Sequence, residues 1–245
     1  MSEPRIQHVV FDAVGTLVYA DPPVASVYYQ VGFRSGSRLS INEVRARFLN
    51  AFAKTEAIII ESKPTDLRTS EDVEMTRWRQ VVAEVFCDLT DTRSCFSELF
   101  DHFGRPESWR CFEEVGDTLS QLTRSGIGVS IASNFDSRLN TVCDGIPEIA
   151  QVRPRVIASH VGYRKPAVEF FDAVSQQIGV PRDRTLVVGD DRVNDVEAAV
   201  KSGFQSLQII RRGPADRDDQ IRSLSELPEP LAATYRTTRA VVTMP

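Results

Sequence analysis

Four short stretches carry side chains that could do chemistry, and each follows a run that reads as a β-strand. Asp12 follows Ile6 to Phe11, and Ser133-Asn134 follow Val129 to Ala132. Lys165 lies in the loop after Arg155 to Ala158, and Asp190-Asp191 follow Leu186-Val187-Val188-Gly189. Ligands of open parallel sheets bind beyond the carboxyl ends of the strands, so reacting groups would gather at these positions. A carboxylate nucleophile, a hydroxyl, a cation and a second carboxylate are the components of a phosphoryl-transfer site. Taken singly, each has a plainer reading. Asp12 is a turn or cap residue, Ser133-Asn134 an N-cap pair, Lys165-Pro166 a solvated lysine before a helix, and Asp190, Asp191 and Asp195 acids favoured by a helix N-terminus. Their joint occurrence at four strand ends favours a site.

The elements that must position these residues alternate. Ile6 to Phe11 is a short β-rich run that stops at Asp12, with a Gly15-Thr16 turn signal behind it. From about Gly104-Arg105-Pro106 onward the order is helix 112–124, strand 129–132, helix 137–145, strand 155–158, helix 168–178, strand 185–188, helix 193–202 and strand 206–210. Such alternation implies βαβ units on a parallel sheet. Between the first strand and this block the texture is all-helical. Ser40-Ile41-Asn42-Glu43 is a capping box before Val44, Phe48, Leu49 and Phe52. A second helix spans about Ser70 to Cys87, with Val73, Trp78, Val81, Val82 and Val85 on its apolar side, and a third covers about Cys95 to Phe103. The expected organisation is an α/β core of residues 1–18 and 110–245, with an inserted helical domain of residues 19–109. The segment Ala240-Val241-Val242-Thr243 leaves a late strand and a loose tail both open.

Composition narrows the function classes. The 245 residues are 42% hydrophobic and 26% charged, which is ordinary for a folded globular protein. The net charge of −5 is not concentrated in a block of one sign, so a small-molecule partner is expected, with no nucleic acid and no membrane surface. No apolar run reaches the roughly 20 residues of a membrane span, and Met1 to Gln7 lacks a signal-peptide pattern; the expected location is cytoplasmic. Cys87, Cys95, Cys111 and Cys143 form no CxxC pair, and His8, His102 and His160 lack metal-ligand spacing, so oxygen atoms must hold any metal. Gly126-x-Gly128 precedes a strand and lacks a third glycine, which rejects a dinucleotide fingerprint. Arg211-Arg212 reads as a solvated loop pair, and Trp78, Phe86, Phe96 and Phe100 as the core of the helical block. His160, near the end of the 155–158 strand, reads as a satisfied structural histidine.

The segments VVFDAVGTL, ASNFD, RKP and VVGDDRVND, in that order, resemble the four motifs of the haloacid dehalogenase (HAD) superfamily. The resemblance covers about residues 1–18 and 110–215, and the helical insertion matches the family's α-helical cap by position. It implies a Rossmann-like parallel-sheet core with an inserted all-helical cap, and hydrolysis of a phosphate ester through a covalent aspartyl intermediate. Carried over by motif, Asp12 matches the nucleophile and a Mg²⁺ ligand. Val14 would offer its backbone carbonyl to the metal, with Asp190 and Asp195 as carboxylate ligands. Ser133 and the Asn134 backbone N–H would receive phosphoryl oxygens, and Lys165 would neutralise the phosphate and orient Asp12.

One position departs from the family's phosphatase pattern, in which a second Asp two residues after the nucleophile serves as general acid and base; here it is Val14. Tyr19, Asp21 and His102 are the conceivable substitutes for that acid, and Lys54 and Lys63 are the only lysines of the insertion that could form a Schiff base, as in the phosphonatase branch. The 2-haloacid dehalogenases resemble Asp12-Ala13-Val14-Gly15-Thr16 closely, but the acidic run Asp190 to Asp195 favours Mg²⁺ and phosphate. The expected function is a Mg²⁺-dependent HAD-type hydrolase of a small phosphorylated metabolite. The alternatives are a non-catalytic phosphate-binding relative and a 2-haloacid dehalogenase.

Overall fold

Alternation of apolar side chains along each strand decides the layering. In β1 (His8–Phe11) Val9 and Phe11 point into one hydrophobic cluster and Val10 into another, so the strand is apolar on both faces and must be covered on both. The computed structural model, which describes residues 6–61 and 67–227, builds this strand into a six-stranded parallel sheet. The order is β5 (Arg155–Ile157), β4 (Gly128–Ser133), β1, β6 (Thr185–Gly189), β7 (Gln205–Ile209) and β8 (Gln220–Ile221). One face carries the clusters of α5 (Val115–Arg124) and α6 (Arg138–Asp144); the other is covered by α8 (Val168–Ile178) and α9 (Ala198–Lys201), with the short α7 (Ala158–Val161) at the end of β5. β1 therefore sits between β4 and β6, so Asp12 emerges centrally at the carboxyl edge.

Helices α1 (Val24–Arg34), α2 (Ile41–Glu61), α3 (Glu71–Val85) and α4 (Arg93–His102) share a cluster of their own around Tyr28, Val82 and Phe86. The start of α2 is the expected capping box: Ser40 N–H donates to Glu43 Oε2 at 2.8 Å, and Glu43 N–H donates to Ser40 Oγ at 3.3 Å. Ser70 caps α3 by accepting from Val73 N–H. The insertion is not entirely helical. β2 (Val18–Ala20) and β3 (Trp109–Cys111) pair antiparallel where the chain leaves and re-enters the sheet domain, with Val18 opposite Cys111. Three-residue strands are too short to show a period in sequence.

The apolar face of α3 also differs from expectation. Val73 is 49% exposed, whereas Glu74 and Arg77 are buried in line with Val81 and Val85. Two charged residues occupy the stripe because they neutralise each other, Arg77 Nη1 donating to Glu74 Oε2 at 3.1 Å. The helix expected from Val193 begins as a π-helical turn, Arg192–Glu197, before α9. Lys63 and the 240–243 segment lie outside the described residues. Among those described, no helix is long and apolar enough to cross a membrane.

Candidate active site

Asp12 leaves β1 with its backbone N–H bonded to Val188 O at 2.8 Å, so the sheet ladder itself fixes where its carboxylate points. The loop behind it turns at Gly15, whose φ of +88° suits glycine; a Cβ there would also lie 2.2 Å from Asp190 Oδ2. At the end of β6 a Cβ on Gly189 would lie 2.2 Å from Asp195 Cγ, so this glycine lets Asp195 fold back beneath the strand end. Asp195 Oδ2 accepts from Asp191 N–H, while the Asp191 carboxylate caps the π-helical turn by accepting from Val193 and Asn194 N–H, both at 2.8 Å. Of the acidic run, then, Asp191 is the capping residue, and Asp190 and Asp195 turn toward Asp12.

Lys165 is the centre of the arrangement. Its Nζ donates to Asp12 Oδ1 at 2.7 Å, to Asp195 Oδ1 at 2.5 Å and to Ala132 O at 3.0 Å. Only 3% of the residue is exposed, which overturns its reading as a solvated lysine. Burial alone would lower its pKa, but the Asp12 and Asp195 charges outweigh burial and raise it, so it stays protonated. The Asn134 side chain clamps the lysine's backbone on both sides, accepting from Lys165 N–H at 2.7 Å and donating to Lys165 O at 3.0 Å. Ser133, at the end of β4, is buried on the same cavity wall. It does not cap α6, which begins five residues later.

Carboxylate oxygens of Asp12, Asp190 and Asp195 lie within 4.8 Å of one another. Burial, the Asp12 charge and the Asp195 charge together push Asp190, although open to the cavity, up to about 7. Burial, opposed by Lys165 and reinforced by Asp12, pushes Asp195 up to about 6. Three carboxylates against one ammonium leave an excess of negative charge on oxygen donors, the donor chemistry of a hard divalent cation such as Mg²⁺. A pH dependence follows from the sign of these shifts. An acid with a raised pKa must lose its proton before it can ligate, so the rise in Tm caused by Mg²⁺ over EDTA is expected to be small at pH 5 and to grow toward pH 8. Thermal unfolding in paired buffers measures it; a gain independent of pH would contradict a carboxylate site.

Lys165→Met leaves Asp12 and Asp195 buried without their cation, and is expected to cost roughly 3–5 kcal/mol in urea unfolding at pH 7.5 in EDTA. The deficit should shrink as pH falls and Asp195, whose carboxyl burial pushes up, takes up a proton. A deficit that does not change with pH would mean that lost packing, not charge, is responsible.

None of the conceivable substitutes for the missing acid lines the cavity over Asp12. The Tyr19 ring lies tilted against Phe112 with centroids 4.9 Å apart, Asp21 faces Arg110 at 3.6 Å, and the His102 ring stands edge-on to Phe103. Lys54 pairs with Glu84 at 2.9 Å, and His160 faces Glu71 at 3.7 Å. Val14 does line the cavity, beside Asp12.

Two sequence readings are corrected. Arg211 is not a solvated loop residue: it pairs with Glu114, donates to the carbonyls of Gly15 and Thr16, and stacks on Phe112 at 3.6 Å, bracing the loop after Asp12. Of the four aromatic residues assigned to the helical core, Phe86 is fully buried and Trp78 and Phe96 pack against the same cluster, but Trp78, Phe96 and Phe100 also line a cavity of about 420 Å³ above Asp12. Sequence reading also missed Glu74 and Arg164. The buried Glu74 carboxylate of α3 lies 3.8 Å from Arg164 Nη1, in the same loop as Lys165, and accepts from Thr69 Oγ1 at 2.7 Å. The available signal was a charged pair at i, i+3 on an apolar stripe.

The family model of haloacid dehalogenase-like hydrolases matches residues 6–203. The haloacid dehalogenase-like hydrolase domain-containing protein 3 of Danio rerio is 24% identical over 234 residues, covering 91% of this chain and 95% of its own length. A HAD-hydrolase structure from Bacillus subtilis, bound to magnesium, has a TM-score of 0.74 at 17% identity and covers 93% of this chain and 99% of that one. The L-2-haloacid dehalogenase of Xanthobacter autotrophicus has a TM-score of 0.72 at 15% identity, with coverage of 93% and 99%. At these identities the two structures show the shared fold alone.

Proposed function

Because the chain belongs to the haloacid dehalogenase-like hydrolases, we propose that it is a Mg²⁺-dependent phosphatase of a small phosphorylated metabolite, with Asp12 as its nucleophile. The observation that carries this reading is the cluster of Asp12, Asp190 and Asp195 around a single buried lysine. Halide displacement needs a nucleophilic carboxylate, an anion-accepting site and one base to activate the water that hydrolyses the ester; a third carboxylate crowded against the nucleophile adds only repulsion unless a cation joins it.

Asp12, Asp190, Asp195 and the Val14 carbonyl would hold the metal, which when bound supplies charge neutralisation to the transferring phosphoryl group. Lys165 holds Asp12 Oδ1, leaving Oδ2 to attack phosphorus. The ester oxygen departs with its bonding electrons, and the phosphoryl group stays on Asp12. Ser133 Oγ and the Asn134 backbone N–H receive its non-bridging oxygens, while the Asn134 side chain keeps Lys165 in register. Water then attacks the same phosphorus, restoring the Asp12 carboxylate and releasing inorganic phosphate. Residues 19–109 act as the cap, their helices closing over Asp12 and keeping bulk water from the first step. With Val14 in place of an acid, the leaving oxygen goes out unprotonated, which favours substrates whose leaving group is a stable anion.

The direct test uses acetyl phosphate and 4-nitrophenyl phosphate, which both have good leaving groups. Phosphate release with Mg²⁺ and none in EDTA is expected. Binding of Mg²⁺ without turnover would identify a non-catalytic phosphate-binding relative, and halide release from 2-chloropropionate in EDTA would identify a dehalogenase.

A further inference from the structure

The cavity above Asp12 differs sharply between its floor and its walls. The floor is the charged cluster; the walls, contributed by α1 to α4 and the loop after β4, are dominated by rings. Phe52 and Trp78 lie 6.1 Å apart, Phe96 and Phe100 5.3 Å apart, and Trp109 meets Phe135 edge-to-face at 5.9 Å. These six rings border the cavity, and a void of about 420 Å³ whose apolar lining is mostly aromatic has the size and character of a ligand pocket. The guanidiniums along the walls are engaged within the protein. Arg77 donates to Glu74 and Thr55, Arg164 faces Glu74, and Arg138 pairs with Asp136 and lies 3.5 Å over the Phe100 ring. A strongly polar body in this cavity would lose its water shell against ring faces that return few hydrogen bonds.

Two independent features therefore converge on one substrate class. Val14 removes the acid that would protonate a basic leaving oxygen, and the walls take apolar rings. On the premise that the phosphatase reading holds, we propose that the substrate is an aryl phosphate. Its phosphoryl group sits at Asp12 and Lys165, and its apolar ring lies between Trp78, Phe100 and Trp109. The departing phenoxide is stabilised by delocalisation into its own ring, so the bond to phosphorus breaks without proton transfer from the protein.

The comparison that isolates the cavity is 4-ethylphenyl phosphate against free O-phosphotyrosine. Their phenols leave with nearly equal basicity, and the tails differ in charge. The expected kcat/KM favours 4-ethylphenyl phosphate by about tenfold or more, and Trp78→Ala moves that ratio toward one. Both tryptophans of the chain, Trp78 and Trp109, line the cavity, so ring occupancy also reads out directly. Phenylphosphonate, which cannot be hydrolysed, should quench tryptophan emission saturably in the wild type with Mg²⁺, and methylphosphonate should not. If acetyl phosphate is hydrolysed but 4-ethylphenyl phosphate shows no advantage over phosphotyrosine, the aryl assignment is overturned and the phosphatase reading stands. If acetyl phosphate is not hydrolysed, the phosphatase reading itself is overturned, and the aryl assignment with it.

Discussion

Asp12→Asn is expected to reduce Mg²⁺-dependent hydrolysis of acetyl phosphate by on the order of 10⁴-fold or more, to the rate without enzyme. The amide is nearly isosteric with the carboxylate, but its oxygen is a poor nucleophile, and the covalent route closes. The fold should survive the change. Lys165 keeps its bonds to Asp195 Oδ1 and Ala132 O, and one of three mutually repelling carboxylates is removed. Stability in urea is therefore expected to be unchanged or slightly higher in EDTA, which separates loss of chemistry from loss of structure. Retention of even a few per cent of wild-type turnover in a folded Asp12→Asn protein would assign the nucleophile elsewhere.

The second large effect is a gain. Val14→Asp should raise hydrolysis of alkyl phosphates by about 10²–10⁴-fold, the usual contribution of a general acid, and change acetyl phosphate hydrolysis little. Val14 is 38% exposed and borders the cavity, so a carboxylate can be accommodated there. It would sit beside Asp12 and Asp190, whose like charges favour the protonated form needed to donate to a leaving oxygen. The gain should accordingly decline as pH rises and that carboxyl ionises. Parallel rates on an alkyl phosphate and acetyl phosphate between pH 5.5 and 8.5 measure both features. No gain in a variant that folds and still binds Mg²⁺ would mean that the missing acid is not what limits this site.

Much of this molecule is legible in its sequence because strands and helices announce themselves locally. Helix α8 was read at its observed limits, Val168 to Ile178, since a period of 3.6 over three turns needs no tertiary information. The strand runs are equally local, and they place Asp12, Ser133 and Asp190 at strand ends, whereas Lys165 stands beyond β5 and the intervening α7. β2, β3 and β8, of two or three residues each, are too short to show a period, and the sequence reading names no helix at α1 although it is as long as α8.

What the sequence determined by itself is the set of groups at the carboxyl edge of a parallel sheet, because a strand's end and the side chain that follows it are local properties. Only the tertiary structure decided how those groups meet. Lys165 bonds Asp12 across 153 residues and Asp195 across 30, and a buried cation between two carboxylates leaves no trace in local periodicity. Whether Trp78 or Phe100 fills a core or borders a void was equally beyond reach. A helix presents the same apolar stripe in both cases, and only the opposing surface decides whether that stripe meets side chains or an open cavity.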